Sequence, residues 1–369
     1  AHAHLVGIGG VSMSPLAEVL HGAGVTITGS DMHDSETVEH LRSLGIPVVI
    51  GHRGESVQGA GCVIRTAAVH DDNPEIAAAR AAGIPVFERA EAWGAIMRHY
   101  QNALCVAGTH GKTTTTSMCT QIFLAAQRDP TVMIGGTLPA LGAGHRVGKG
   151  DTIILESCEY CNSFLSFFPT VAVILNVDAD HLDFFKDLED VKHSFRRFAQ
   201  LVPEGGAVIA DGDDANTMDA LKGLEKPMLT FGLERGDIHT SNLTYEKGVG
   251  SFDLIYRGEN LGRITLQVPG VHNVRNALAA AGAALQLKVP FAAIQEGLHA
   301  FTGAGRRFER KGEYHGAVLY DDYAHHPGEL RALLSTVKTL GYDRVVCAFQ
   351  PHTYSRTKEL FDDFVEVLQ

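Results

Sequence analysis

The sequence predicts an α/β protein built from parallel sheets whose two faces are covered by helices. Strand and helix patterns alternate from the first residues onward, and a second strand–turn–helix series starts near residue 104. This alternation is typical of a parallel sheet with crossover helices. The chain has 369 residues, which exceeds the usual size of a single hydrophobic core, so we expect two or three domains.

The first domain is expected to be Rossmann-like and to span residues 1–98. Its apolar runs end at glycine or aspartate, as strands of a parallel sheet do where they turn into helices. The predicted strands are residues 4–9, 25–29, 48–50 and 62–66, and the predicted helices are residues 14–22, 36–44 and 73–83. The chain begins almost inside the first strand, so we expect its start to be incomplete.

The second domain is expected to span residues 99–304, with a parallel sheet and a small antiparallel sheet. Continuous apolar runs predict buried parallel strands, and alternating runs separated by polar turns predict an antiparallel meander. The parallel strands are residues 104–107, 152–156, 171–176 and 207–210, the meander is residues 242–245, 252–256 and 263–268, and helices start at Lys112 and Asn273.

The third domain is expected to cover residues 305–369 and to be a truncated Rossmann-like domain. We predict two strands, residues 317–320 and 344–348, with two helices, the last starting near Lys358. Two parallel strands cannot bury both faces of a stable sheet, and such a domain usually needs ~100 residues. We therefore expect a fragment of a longer chain.

Composition excludes several classes of partner. The formal net charge is −12 and Lys/Arg-rich runs are absent, which argues against nucleic acid. We expect no signal peptide, and no apolar stretch reaches the ~18 residues that suggest a membrane span. Six scattered cysteines indicate a reduced, cytoplasmic protein. Cys158 and Cys161 have CxxC spacing, but a zinc or redox site needs further features that the sequence lacks, so we expect coincidence.

The strongest motif is a glycine-rich turn between the predicted strand 104–107 and the helix that follows it. Its residues are Gly108, Thr109, His110, Gly111, Lys112, Thr113 and Thr114. Glycines let backbone N–H groups converge on phosphate oxygens, and a helix N-terminus adds positive potential. We expect Lys112 to neutralise the outer phosphates of a bound nucleotide and Thr113 to ligate Mg²⁺. The alternative is an ordinary βα turn.

A second glycine-rich turn follows the first strand. The candidate substrate-binding residues there are Gly9, Gly10, Ser12, Met13, Ser14 and Asp31. The pattern is similar to a dinucleotide-binding turn, but Ser12 occupies the third glycine position. Taken alone, the motif fits equally a dehydrogenase or a turn that binds nothing.

Acidic and imidazole groups follow two strands of the second domain. Glu156 ends one predicted strand, and Asp180-His181 follows another. Because parallel strands deliver their carboxyl ends to one edge, we expect Thr113, Glu156 and His181 to ligate one Mg²⁺. Glu159 is the alternative to Glu156 as a metal ligand. A purely structural alternative is that the aspartate caps a helix and the histidine lies on the surface.

Further motifs occupy the last hundred residues. They are GVHNVRNA at residues 270–277, Arg306-Arg307, DDYAHHP at residues 321–327 and QPHTYSRT at residues 350–357. Together with the phosphate loop and the Asp180-His181 pair, they resemble the Mur ligases in family order. These enzymes use ATP to join an amino acid to a UDP-linked sugar acid in cell-wall synthesis. The DDYAHHP segment is most similar to that of the alanine-adding members.

The resemblance implies a role for each motif. Asn273 and Asn276 would read adenine, Asp322 would hold the ATP ribose, and Arg307 would meet the transferred phosphate. Tyr323, His325, His352 and Arg356 would lie near the amino-acid site. An N-cap at Asn273 and an interdomain ion pair at Arg307 are the alternatives. Some family members carry a carbamylated lysine where this chain has residues 194–196 (SFR), so the resemblance assigns no carbamate to this chain.

The resemblance also implies the architecture and the reaction. The three domains would be a UDP domain, a central P-loop ATPase and a partial C-terminal domain. Catalytic Lys112, Glu156, His181, Arg307 and His325 would support ligation of L-alanine to UDP-N-acetylmuramate through an acyl phosphate. A ligase that recycles a murein tripeptide, or a non-catalytic UDP-sugar-binding fragment, are the alternatives. A truncated third domain would make turnover by this chain very low.

Overall fold

The computed structural model describes residues 1–66 and 68–369, which form two compact units. Unit 1 comprises residues 1–100 and 145–147, and unit 2 comprises residues 101–144 and 148–369. Residues 305–369 thus belong to unit 2, and our three-domain boundaries stay a proposal. Among the described residues, no helix is both long and apolar enough to span a bilayer.

Unit 1 contains a five-stranded parallel sheet in the order β3-β2-β1-β4-β5. Its elements are β1 (His2–Val6), α1 (Met13–Gly22), β2 (Thr26–Asp31), α2 (Glu36–Ser43), β3 (Val48–Ile50), β4 (Cys62–Arg65), α3 (Pro74–Ala81), β5 (Val86–Glu88) and α4 (Arg89–Met97). The predicted alternation is confirmed, and β5 and α4 are additional elements.

Local polar groups begin two helices of unit 1. The Ser35 hydroxyl accepts the N–H of Val38 at the start of α2, and the Asn73 side chain accepts the N–H of Glu75 at the start of α3. Each satisfies a backbone donor that a helix N-terminus leaves unpaired. Burial of apolar side chains between sheet and helices then fixes the unit.

Unit 2 is built on a ten-stranded mixed sheet in the order β15-β14-β13-β12-β11-β10-β6-β9-β7-β8. The elements up to the middle of the unit are β6 (Asn102–Ala107), α5 (Lys112–Ala125), β7 (Thr131–Leu138), β8 (Ala143–Arg146), β9 (Thr152–Glu156), β10 (Val171–Ile174), α6 (Leu188–Gln200), β11 (Ala207–Asp211) and α7 (Ala215–Ala220). The remaining strands and the two helices that follow them are β12 (Met228–Gly232), β13 (Ile238–Glu246), β14 (Val249–Tyr256), β15 (Glu259–Pro269), α8 (Val271–Gln286) and α9 (Phe291–Ala300).

The central strands of this sheet position the site. β6 lies between β10 and β9 and is parallel to both, with Val106 paired to Glu156 and Ala107 paired to Ile174. The carboxyl ends of the three strands therefore meet at one edge, as the sequence predicted. The predicted meander is confirmed as antiparallel β13, β14 and β15.

The last part of unit 2 differs from the prediction. It contains β16 (Glu309–Tyr314), β17 (Ala317–Asp321), α10 (Pro327–Lys338), α11 (Tyr354–Glu359) and α12 (Phe361–Leu368). β16 and β17 form an antiparallel hairpin. The predicted strand 344–348 is wrong, since these residues have no regular structure and Val346 is 77% exposed. A strand needs a hydrogen-bonded neighbour, and the described pairing of β17 is with β16 alone.

Candidate active site

The phosphate loop connects β6 to α5 with two glycines in conformations that other residues rarely adopt. Gly108 has φ +148° and Gly111 has φ +83°. A Cβ atom at Gly111 would lie 2.7 Å from Asn276 Oδ1, and one at Gly108 would lie 2.8 Å from Leu175 Cβ. The N-terminus of α5 carries no side-chain cap. The loop therefore fits a phosphate group, which would meet backbone N–H groups at an open helix end.

Asn176, two residues after the end of β10, holds the backbone of this loop in place. Its Oδ1 accepts the N–H of His110 at 2.7 Å, and its Nδ2 donates to the carbonyl oxygen of His110 at 3.1 Å. The amide matches the donor and the acceptor of one peptide residue. The loop is thus shaped by a neighbouring strand as well as by its own glycines.

The Lys112 side chain folds back over the loop. Its Nζ donates to the carbonyl oxygens of Gly108 at 2.6 Å and Thr109 at 3.1 Å, and it lies 3.2 Å from Glu159 Oε2. Burial alone would lower the pKa of Lys112, but the charge of Glu159 outweighs burial and raises it. The ammonium group therefore stays charged beside the candidate phosphate position.

Thr113 and Glu156, both predicted metal ligands, lie in contact. The Thr113 hydroxyl donates to Glu156 Oε1 at 3.1 Å, and the N–H of Gly135 donates to Glu156 Oε2 at 2.6 Å. A Cβ atom at Gly135 would approach Glu156 Oε1 to 2.6 Å. The carboxylate is therefore fixed against the first turn of α5.

Glu159 is one of two carboxylates that lie close to the His181 imidazole, the other being that of Asp180. The Glu159 side chain is only 2% exposed, and its Oε1 lies 3.8 Å from His181 Nε2. The sequence favoured Glu156 over Glu159 as a metal ligand, and that choice stays a prediction. In the structure, the Glu159 carboxylate lies close to both His181 and Lys112. The carboxylates of Glu156 and Glu159 and the hydroxyl of Thr113 are hard oxygen donors that suit Mg²⁺. The His181 imidazole lies next to Glu159.

His181 itself is held in an unusual conformation. Its φ is +54°, and its N–H donates to Asp180 Oδ1 at 2.8 Å. The ring of Tyr160 packs on the imidazole with 4.7 Å between centroids, and the Tyr160 hydroxyl donates to Asp183 at 3.0 Å. Backbone strain of this kind persists only where surrounding contacts impose it. The sequence had no signal for Tyr160, because its contacts depend on the turn after β9.

The two asparagines of the GVHNVRNA motif form a short amide chain behind the phosphate loop. Asn273 Nδ2 donates to the carbonyl oxygen of Pro269 at 2.7 Å, and Asn276 Nδ2 donates to Asn273 Oδ1 at 3.2 Å. Asn276 Oδ1 lies so close to Gly111 that a Cβ atom there would be 2.7 Å away. Their predicted contact with adenine stays a proposal.

The predicted amino-acid site brings three residues together. The ring centroids of Tyr323 and His325 are 5.1 Å apart, and those of His325 and His352 are 6.3 Å apart. Arg307 lies beside this group, with its guanidinium carbon 5.6 Å from the centre of the Tyr323 ring. Asp322 accepts the N–H groups of residues 308 and 324, each at 2.7 Å, and so shapes the same turn.

Arg356 has a structural partner as well as its predicted substrate role. Its guanidinium lies 3.0 Å from Asp180 Oδ1 and 3.1 Å from the carbonyl oxygen of His352. The side chain is buried. In the structure, this arginine joins the QPHTYSRT segment to the residue before His181.

The first glycine-rich turn belongs to unit 1. The N–H of Gly9 donates to Asp31 Oδ2 at 2.8 Å, so two parts of the predicted substrate site meet. Met13 and Ser14 are buried, and their N–H groups are bonded within the turn. Gly10 and Val11 are exposed instead, and Ser12 is half-buried. Any substrate contact there is expected from these residues.

Comparison with protein families finds three matches in chain order. Residues 2–101 match the Mur ligase family, catalytic domain, residues 106–284 match the Mur ligase middle domain, and residues 306–369 match the Mur ligase, glutamate ligase domain. Together these matches account for most of the chain.

Similar proteins include UDP-N-acetylmuramate–L-alanine ligases of two bacteria. That of Caldanaerobacter subterraneus subsp. tengcongensis is 49% identical over 365 residues, which cover 98% of this chain and 79% of the relative. That of Agathobacter rectalis is 48% identical over 370 residues, which cover 100% of this chain and 81% of the relative.

Solved structures agree with these relatives. UDP-N-acetylmuramate-alanine ligase MurC of Thermotoga maritima has a TM-score of 0.81 at 29% identity, covering 99% of this chain and 88% of that protein. A UDP-N-acetylmuramate:L-alanyl-gamma-D-glutamyl-meso-diaminopimelate ligase of Neisseria meningitides has a TM-score of 0.75 at 29% identity, covering 83% of this chain and 99% of that protein. With identities near one half along its whole length, this chain belongs to the Mur ligase family.

Proposed function

We propose that this ligase joins L-alanine to the carboxylate of UDP-N-acetylmuramate, with ATP as the energy source, in peptidoglycan precursor synthesis. The observation that carries this proposal is the identity of 48–49% to alanine-adding ligases over nearly the whole chain. Reduced cysteines and soluble nucleotide substrates also fit a place in the cytoplasm.

The first step activates the carboxyl group. A carboxylate reacts poorly with an amine because oxide cannot leave. Transfer of the γ-phosphoryl group of ATP to a carboxylate oxygen yields ADP and an acyl phosphate, whose phosphate leaves readily. Catalysis of such a transfer consists mainly of positioning and charge neutralisation. Lys112 is suited to this role because its pKa is raised, and Arg307 is the second candidate.

Mg²⁺ would be held at the edge of the phosphate loop. Its candidate protein ligands are Thr113, Glu156, Glu159 and His181. When bound, the ion would neutralise charge on the phosphates. The residues themselves fix the geometry, because Glu156 is anchored by the N–H of Gly135 and Glu159 is buried.

The second step needs a neutral amine and a group that accepts its proton. Burial lowers the pKa of His325, so its imidazole is uncharged at neutral pH. Its Nδ1 lies 2.8 Å from the carbonyl oxygen of Tyr323, which requires the proton on Nδ1. The lone pair is therefore on Nε2, and we propose that His325 accepts a proton from the amine of L-alanine. The nitrogen forms the amide bond with the acyl carbon, and the bond from that carbon to the phosphate oxygen breaks, so that inorganic phosphate leaves.

The nearest alternative is ligation of a murein tripeptide to the same sugar nucleotide. The likeness to the Neisseria ligase supports the shared fold, and the curated relatives favour L-alanine. A competition assay separates the two. With both amino components present at equal concentration, we expect UDP-N-acetylmuramoyl-L-alanine as the main product by mass spectrometry. A predominance of the tripeptide product would overturn the assignment of the amino component.

A further inference from the structure

Glu329, in the first turn of α10, lies among three groups of the candidate active site. Its Oε1 is 3.5 Å from His110 Nδ1 of the phosphate loop and 3.8 Å from Arg307 Nη1. Its Oε2 accepts the N–H of His325 at 3.0 Å and lies 3.6 Å from His325 Nδ1. One carboxylate thus contacts the nucleotide loop, the candidate phosphate-binding arginine and the candidate proton acceptor.

The charge of this carboxylate is stabilised by its neighbours. Burial would raise the pKa of Glu329, but the hydrogen bond to His110 and the charges of His110 and Arg307 oppose burial, and the pKa is held far below its usual range. Its place in the first turn of a helix also favours negative charge. Glu329 therefore stays ionised throughout the working range of pH.

A fixed negative charge close to a phosphate site repels the nucleotide unless cations separate the two. Here His110 of the loop and Arg307 both contact Glu329, and both carry positive charge at neutral pH, since the pKa of His110 is raised to about 9. The distance of 3.8 Å to Arg307 is that of a loose ion pair, and Arg307 remains partly exposed. The guanidinium group can therefore exchange the carboxylate for an arriving phosphoryl group, because the ion pair that it gives up is weak.

We propose that Glu329 is a positioning residue that aligns Arg307 and His325 with the phosphate loop through His110. This inference rests on the proposed ligase function. Glu329 acts on the chemical step through the two groups it holds, and it does not touch the reacting atoms. Because misplacement of catalytic groups by about 1 Å can cost ~100-fold in rate, loss of its charge should lower kcat far more than it weakens nucleotide binding.

The test compares Glu329→Gln with Glu366→Gln in the enzyme expressed from its complete gene. Glu366, on α12, forms an exposed ion pair at 3.3 Å with Arg331 of α10, the helix that carries Glu329, and so serves as the control. We expect Glu329→Gln to lower kcat ~10–100-fold, while the Kd for ATP changes less than about threefold. Glu366→Gln should match the wild type in both quantities.

A conservative variant separates charge from shape. Glu329→Asp keeps the charge and the acidic first turn but withdraws the carboxylate by one methylene, so we expect an intermediate kcat. It also carries the test if Glu329→Gln does not fold, as judged by circular dichroism. Equal kcat in Glu329→Gln, Glu329→Asp and Glu366→Gln would overturn the inference. Absence of ligation by the wild-type enzyme would instead count against the proposed function.

Discussion

Arg356 and Asp180 form a buried ion pair that joins helix α11 to the residue before His181. Two guanidinium nitrogens lie 3.0 Å from Asp180 Oδ1, and the side chains are 9% and 7% exposed. Burial would raise the pKa of Asp180, but His181 and Arg356 lower it. The folding of the last segment is thereby linked to the backbone of the candidate metal site.

Removal of one partner should be costly because the other charge stays buried. We expect Arg356→Ala to lower the free energy of unfolding by ~3–5 kcal/mol, measured by urea denaturation. Arg331→Ala breaks an exposed pair and should cost less than ~1 kcal/mol. Similar losses in both variants would show that the buried pair has no special role.

The candidate metal site predicts a change in Mg²⁺ dependence. Glu156→Gln, Glu159→Gln and His181→Ala should each raise the Mg²⁺ concentration for half-maximal activity by about tenfold or more. The exposed Glu204→Gln is the control. If only the Glu156 variant responds, Glu159 is a structural partner of Lys112 and not a metal ligand.

Lys112→Ala should abolish ligation without loss of sugar-nucleotide binding. The ammonium group lies in the phosphate loop of unit 2, whereas the proposed UDP site belongs to unit 1. We expect kcat/KM to fall at least ~100-fold and the Kd for UDP-N-acetylmuramate by calorimetry to stay within about threefold. Exposed Lys222→Ala is the control. Joint loss of both properties in a folded variant would argue against separate sites.

The pKa values of two half-buried histidines, His110 and His272, should be shifted in opposite directions. Burial alone would lower the pKa of His110, but Asp178 and Glu329 raise it to about 9, whereas burial lowers the pKa of His272 to about 4. In NMR spectra assigned with His110→Gln and His272→Gln, His110 should titrate near pH 9 and His272 should stay neutral above pH 6. A midpoint near 6.5 for both would contradict the described contacts.

The raised pKa of His110 also makes the stability of the folded protein depend on pH. Because the folded pKa exceeds the ordinary value of 6.5, the contribution of His110 is complete below about pH 6.5 and is lost as pH rises through about 9. The stability difference between wild type and His110→Gln should therefore shrink over this range. A difference that grows with pH would show that the imidazole is held neutral.

The sequence predicted those parts of the site that follow from local rules. The phosphate loop needs glycine at two positions, and parallel strands bring Thr113 and Glu156 to one edge of the sheet. The prediction of a strand at residues 344–348 was wrong, because apolar residues form a strand only where a neighbouring strand offers hydrogen bonds.

The contacts of Glu329 and Arg356 could not be predicted from local sequence patterns. Asp180 and Arg356 are 176 residues apart in the chain, and no periodicity or spacing indicates which distant charge a buried group will meet. The choice between Glu156 and Glu159 depended on the turn after β9, where Cys161 and Asn162 adopt φ +55°. Such conformations are rare outside glycine and are imposed by tertiary packing.

The most direct test of the account is phosphate release from ATP by the purified enzyme expressed from its complete gene. We expect release only when UDP-N-acetylmuramate and L-alanine are both present, with one UDP-N-acetylmuramoyl-L-alanine formed per phosphate. Release of phosphate that is independent of L-alanine, or no release with both substrates and Mg²⁺ present, would contradict the account.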